Sequence, residues 1–133
     1  MKRVTPFTLV VALALLGACS DDSVPDATTV EMVDGQRFAP AELRVAAGTT
    51  VTFVNESAEA HTVTAYEDAL PEDAEYFASG AFGTEEQARD ALADGLVGQE
   101  SGYEVTFAAP GTYEYFCIPH EQQGMKGTIV VEE

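Results

Sequence analysis

Cys117, His120 and Met125 place a thiol, an imidazole and a thioether within nine residues, on a stretch bounded by two runs that read as strands. Tyr113-Glu-Tyr-Phe-Cys117 leads into it and Thr128-Ile-Val-Val131 leads out. Two soft sulfur donors and one nitrogen suit copper better than any other common metal. The set lacks a second imidazole, and the chain contains one further histidine, His61, far upstream. A metal site of this kind therefore exists only if the fold returns a distant segment to the Cys117–Met125 loop. That requirement limits the architectures open to the chain more than any other feature.

Each residue also has a plainer reading. A lone cysteine on an inward face is often a small buried hydrophobe. His61 taken alone reads as a hydrogen-bonded strand histidine, and Met125 between glycines reads as a gap-filler. His120 has no apolar period around it, so core packing accounts for it poorly. Zinc with Glu121 as a fourth ligand is a competing metal site, though it leaves Met125 without a role. A Cys117–His120 nucleophile and base is a third class, for which only Gly124 or Gly127 offers an oxyanion element. A binuclear copper centre needs a second nearby cysteine, which the sequence does not supply.

The hydrophobic pattern predicts an all-β domain. Val30 and Met32 mark a first short strand, and Phe38-Ala-Pro40 follows a turn at Gly35. Leu43 and Val45 alternate with Arg44 before Gly48, and Val51 and Phe53 share one face of the next strand. After the loop Asn55–Ala60, His61 to Thr64 reads as a resumed strand. Tyr103, Val105 and Phe107 alternate, and Tyr113, Tyr115 and Cys117 share a face after Pro110-Gly111. Short alternating strands with turn residues between them predict an antiparallel sandwich or barrel. The exception is a helical insertion at about 66–100. Pro71 to Glu75 starts like a capped helix, and Thr84 is an N-cap candidate for a helix ending near Gly95. The insertion reads as a cover for a sheet edge, with partner docking as the functional alternative.

The leader points to export. Lys2-Arg3 precedes an apolar run from Phe7 to Leu16, of signal-peptide length and too short to span a bilayer. Leu16-Gly17-Ala18-Cys19 resembles the lipobox cleaved before a lipid-modified cysteine. Residues 1–18 are thus expected to be a signal peptide, 19–28 the lipidated Cys19 and a polar tether, and 29–133 the folded domain. Eight extended tether residues reach at most about 25 Å, which keeps the domain near the membrane face and favours a membrane-associated partner. The expected location is the outer face of the cell membrane, or the periplasm. With Cys19 acylated, Cys117 is a lone thiol in an oxidising compartment; otherwise a Cys19–Cys117 disulfide becomes open to it.

Loss of the leader leaves Arg37, Arg44, Arg89 and Lys126 against 23 acidic residues. Such a chain is a poor partner for nucleic acid or anionic membrane. The acids are spread along the whole mature chain, which fits a high-salt habitat better than a local patch steering a cationic partner.

Cys117-x-x-His120-x-x-x-x-Met125 with upstream His61 resembles the blue-copper proteins of the cupredoxin family. The likeness runs from about Val30 to Val131 and rests also on Phe38-x-Pro40, Gly48-Thr-Thr-Val-Thr-Phe-Val-Asn55 and Pro110-Gly-Thr-Tyr-Glu-Tyr-Phe-Cys-Ile-Pro-His120. The resemblance implies a Greek-key β-sandwich holding one copper ion. His61, Cys117 and His120 would be its strong ligands and Met125 its weak axial one. It further implies a monomeric, non-enzymatic one-electron carrier between a redox donor and acceptor, with copper buffering or delivery as the alternative. Many relatives carry Asn directly after the first histidine ligand, bonded across to the cysteine loop. Thr62 stands there in this chain, which leaves the reduction potential open. Ala60, Ile118 and Pro119 are expected to surround the exposed edge of His120, the family's electron exit.

Overall fold

The computed structural model describes residues 28–133. The expected signal peptide, lipobox Cys19 and most of the tether lie outside the described residues. Among the described residues no helix is long and apolar enough to cross a membrane.

Among the described residues, eight strands form two four-stranded sheets. In chain order they are β1 (Thr29–Val33), β2 (Arg37–Ala39), β3 (Glu42–Ala46), β4 (Thr49–Asn55), β5 (Thr64–Ala65), β6 (Gly102–Phe107), β7 (Gly111–Phe116) and β8 (Lys126–Glu132). One sheet runs β2-β1-β4-β6 and the other β3-β8-β7-β5. Pairing is antiparallel except for β1 with β4 and β3 with β8. The expected all-β sandwich is present, with mixed rather than purely antiparallel sheets.

Alternation explains the two layers. Val30 and Met32 on β1, Leu43 and Val45 on β3, Val51 and Phe53 on β4, and Ile129 and Val131 on β8 are all buried, while their neighbours are more exposed. A strand's side chains point alternately to its two faces, so each sheet presents one apolar face and the pair closes on it. Burial of each such side chain contributes about 1.5–3 kcal/mol. Tyr115 sits at the centre, meeting Phe38 and Phe53 edge-on at ring separations of 4.7 and 5.2 Å.

Two local expectations differ from the structure. Residues 61–63 are not strand. The short strand starts at Thr64, and His61 instead makes an isolated pair with Val97. Residues 62–65 are buried without alternation because the insertion covers their far edge. Ala65 N–H donates to the Phe77 carbonyl at 3.0 Å, and Ser79 N–H to the Val63 carbonyl at 2.8 Å. Residues 71–75 form a turn, not a helix, because Asp73 takes a left-handed φ of 64°. A 3₁₀ helix (Glu67–Ala69) precedes that turn, and the α-helix of the insertion, α1 (Glu85–Asp90), is followed by a 3₁₀ helix (Leu92–Gly95) that ends at Gly95 as expected. Thr84 caps it as expected, its hydroxyl accepting from Gln87 N–H at 3.2 Å.

The insertion closes on itself at its base. Ser79 Oγ–H donates to the Gly95 carbonyl at 2.6 Å. A Cβ on Gly80, whose φ is +95°, would lie 2.8 Å from the Asp94 carbonyl oxygen. The two segments meet through backbone that only glycine allows so close.

A methyl group on Gly127 would overlap the Tyr115 ring across the β7–β8 pair. Gly127→Ala is therefore expected to cost about 1–3 kcal/mol by overpacking, read as a lower urea midpoint at unchanged slope. An unchanged midpoint would mean that the two strands do not meet this closely.

Candidate metal centre

Three segments bring the donors together. His61 lies between β4 and β5 and is pinned by Val97, donating to its carbonyl at 3.2 Å and accepting from its N–H at 2.7 Å. Cys117 follows β7 on the inward face. His120 sits in the 3₁₀ segment Ile118–Gln123, which kinks at His120 itself (φ −120°, ψ 16°). Gly124 ends that segment at φ +83°, a conformation suited to glycine. The loop is tied internally: Cys117 N–H donates to the Met125 carbonyl at 3.0 Å, and Met125 N–H to the His120 carbonyl at 3.2 Å.

Thr62 braces the two halves. Its N–H donates to Cys117 Sγ at 3.3 Å, and its hydroxyl accepts from Ile118 N–H at 2.8 Å. The threonine thus makes the cross-loop bond expected of an asparagine at this position, with an oxygen on a shorter side chain.

The neighbours of His61 accommodate the tautomer that a metal ligand needs. Asn55 Nδ2 lies 2.7 Å from the Glu59 carbonyl and 2.9 Å from the Val97 carbonyl, so it is the donating end of the amide. Asn55 Oδ1 then accepts from the Ser57 backbone and hydroxyl, both at 2.9 Å. With its proton directed there or to the Glu59 carbonyl, Ser57 Oγ accepts from His61 Nε2–H at 2.7 Å. That leaves the lone pair on Nδ1, facing the site.

The donor atoms form a small triangle. His61 Nδ1 and His120 Nδ1 are 3.0 Å apart, and Cys117 Sγ lies 3.7 Å from the first and 3.4 Å from the second. The point equidistant from all three is about 2.0 Å from each, close to the ~2.0–2.1 Å metal–imidazole and ~2.3 Å metal–thiolate bonds of such sites. The residues therefore fit a single ion. His61 and Cys117 are fully buried, and His120 is half-buried. Burial pushes the Cys117 thiol up and the Thr62 N–H pulls it part of the way back, so metal binding must displace a proton. Burial, then the adjacent His120, holds His61 below its ordinary value, with Glu59 offsetting part of this.

Met125 is fully buried in the core beside this loop. Pro119 is exposed next to His120, as is Ala60 next to His61. Glu121, the alternative zinc ligand, is not in the donor cluster. Its carboxylate is engaged by Arg89 and Tyr66, and Arg89 holds it below the usual carboxylate range. Among the described residues Cys117 has no disulfide partner. Sequence reasoning missed Ser57, Asn55 and Val97. Only the placement of Asn55 at the end of β4 hinted at a buried polar role.

Ser57→Ala removes the acceptor that fixes the His61 ring, and is expected to weaken copper affinity by about 10- to 100-fold, measured by chelator competition. Unchanged affinity would mean that the ring is held by packing alone. A second expectation concerns the metal-free protein. As pH falls below His61's ordinary 6.5, the unfolded chain takes up a proton before the folded one does. Stability therefore declines in that window. The urea midpoint is expected to be lower at about pH 5 than at about pH 7.5, with much of the difference absent in His61→Asn.

A family model described as copper binding proteins, plastocyanin/azurin family, matches residues 26–132. A chloroplastic plastocyanin from Physcomitrium patens is 39% identical over 127 residues, covering 91% of this chain and 69% of its own. Among solved structures, a Sinorhizobium pseudoazurin aligns with a TM-score of 0.58 at 33% identity, over 79% of this chain and 72% of that one. A reduced amicyanin variant aligns with a TM-score of 0.58 at 30% identity, over 84% and 87%. Two mixed sheets, a largely buried His–Cys–His triangle sized for one metal ion and these matches lead to one conclusion: the chain belongs to the plastocyanin/azurin family of copper-binding proteins.

Proposed function

We propose that the protein is a membrane-tethered electron carrier, passing single electrons between two redox proteins. The observation that carries this reading is a donor triangle already set at 3.0–3.7 Å by bonds that the ligands' neighbours make. When bound, copper supplies the Cu(I)/Cu(II) couple. The chain's own contribution is to keep one geometry for both states. Val97 and Ser57 fix His61, Thr62 fixes the Cys117 sulfur, and the backbone bonds through Met125 close the loop on His120. A site that need not rearrange loses little energy to reorganisation when its charge changes.

His61, Cys117 and His120 are assigned as the strong ligands and Met125 as the weak axial one, a set suited to blue copper. Complete burial of Met125 and its backbone bonds to both Cys117 and His120 support that role. The half-buried His120, flanked by exposed Pro119, is the exit for the electron. Burial of His61 and Cys117 argues against copper delivery, for which an accessible site is needed to hand over the ion. The leader supports export, with Cys19 as lipid attachment and the carrier held at the outer membrane face or in the periplasm as a monomer. Partners are then membrane-associated redox proteins, and the acidic surface turns nucleic acid away.

The test is a visible absorption spectrum after addition of Cu(II), with Cys117→Ser alongside. An intense blue thiolate-to-copper band is expected, bleached and restored through reduction and reoxidation and absent in the variant. A colourless protein, or one that prefers zinc, would sink the carrier reading.

A further inference from the structure

Arg89 lies on α1 in the insertion, yet its guanidinium meets both ends of the ligand turn. Its Nη1 and Nη2 donate to the two carboxylate oxygens of Glu121 at 2.8 and 3.2 Å. Its Nε donates to Glu85 Oε1 at 2.8 Å. Its Cζ stands 4.5 Å from the centre of the Phe116 ring. Phe116 is the residue immediately before Cys117, and Glu121 is the residue immediately after His120. One cation thus brackets the segment that carries two of the three donors. Tyr66 closes the cluster, its ring stacked on Phe116 at 4.2 Å and its hydroxyl donating to Glu121 Oε1 at 2.9 Å.

A lone ion pair at a surface would hold little. This one is bidentate, shared with a second carboxylate and backed by an aromatic face, and the side chains of Arg89 and Glu121 are only 37% and 28% exposed. The planar fork matters, because a lysine cannot address Glu121 through two bonds while reaching Glu85 with a third nitrogen. The base of the insertion is closed by Ser79 and Gly95, so α1 is a fixed anchor for the loop.

We propose that Arg89 is a positioning residue for the copper loop, clamping Phe116 to Glu121 so that Cys117 and His120 keep one separation. Its charge also offsets the Glu121 carboxylate beside His120. The role in electron transfer rests on the carrier reading above, whereas the clamp itself does not.

The test compares Arg89→Ala, Arg89→Lys and Glu121→Gln by two measurements. The first is amide hydrogen exchange in the metal-free protein at Gly124 and Met125, whose N–H groups bond the Glu121 and His120 carbonyls. The second is the reduction potential of the copper-loaded protein. Arg89→Ala is expected to speed exchange by about tenfold and to lower the potential, since an unbalanced carboxylate favours Cu(II). Arg89→Lys keeps the charge and most of the potential but leaves exchange fast. Glu121→Gln speeds exchange and raises the potential. Unchanged exchange in Arg89→Ala would overturn the clamp, even if the potential moved through charge alone. If the copper of the unmodified protein fails to cycle while Arg89→Ala still speeds exchange, the carrier reading falls and the clamp stands.

Discussion

The two hydrogen bonds between Thr62 and the Cys117-Ile118 backbone and sulfur are the constraint on which the centre depends. Thr62 adjoins one donor and its partners belong to, or adjoin, another, so crossing bonds fix the separation of His61 and Cys117 from outside the ligand set. They matter because β5 pairs with β7 over only two residues, Thr64 with Phe116 and Ala65 with Tyr115. A strand pair so short specifies its register weakly, and since β7 is held in place by β8, a slip of one residue would shift Thr62 and His61 relative to Cys117. The brace supplies what the short ladder does not.

The hydrogen bonds around Asn55 act on the same centre from behind. An asparagine amide that must donate to two carbonyls cannot rotate, and its orientation is passed through Ser57 to the proton on His61. The ring is aimed by a buried polar cluster with every member satisfied, the arrangement in which such clusters rigidify rather than destabilise. Arg89 and Glu121 do comparable work at the surface, on the loop that carries His120.

Much of this was legible in the sequence, and the limits have physical reasons. Strands with one face in the core announced themselves by alternation, as Val30/Met32 and Ile129/Val131 show. The donor cluster was legible because Cys117, His120 and Met125 fall on one loop and only one other histidine exists. Residues 61–63 read as strand but lie outside it, because 61–65 are all buried beneath the insertion and no alternation marks where the strand begins. The Pro71 segment looked helical because its acids and proline match a first turn, whereas left-handed Asp73 stops it there. Ser57, Val97 and Arg89 stayed hidden for a different reason. Val97 and Arg89 act across long separations in the chain, and Ser57 over four residues within an irregular loop, each through a bond that no local pattern encodes.

The closed base of the insertion has an evolutionary consequence. Because Ser79 and Gly95 join its two stems, the span between them can change in length or composition while the sandwich beneath it keeps its own pairing, and widening a closed loop adds only slowly to its entropic cost. Arg89 lies in that span. Related chains can therefore diverge in how firmly and at what charge the copper loop is held, with the ligands, the core and the brace at Thr62 left untouched. The part of the surface freest to change is thus also a tuning element for a part of the interior that is not.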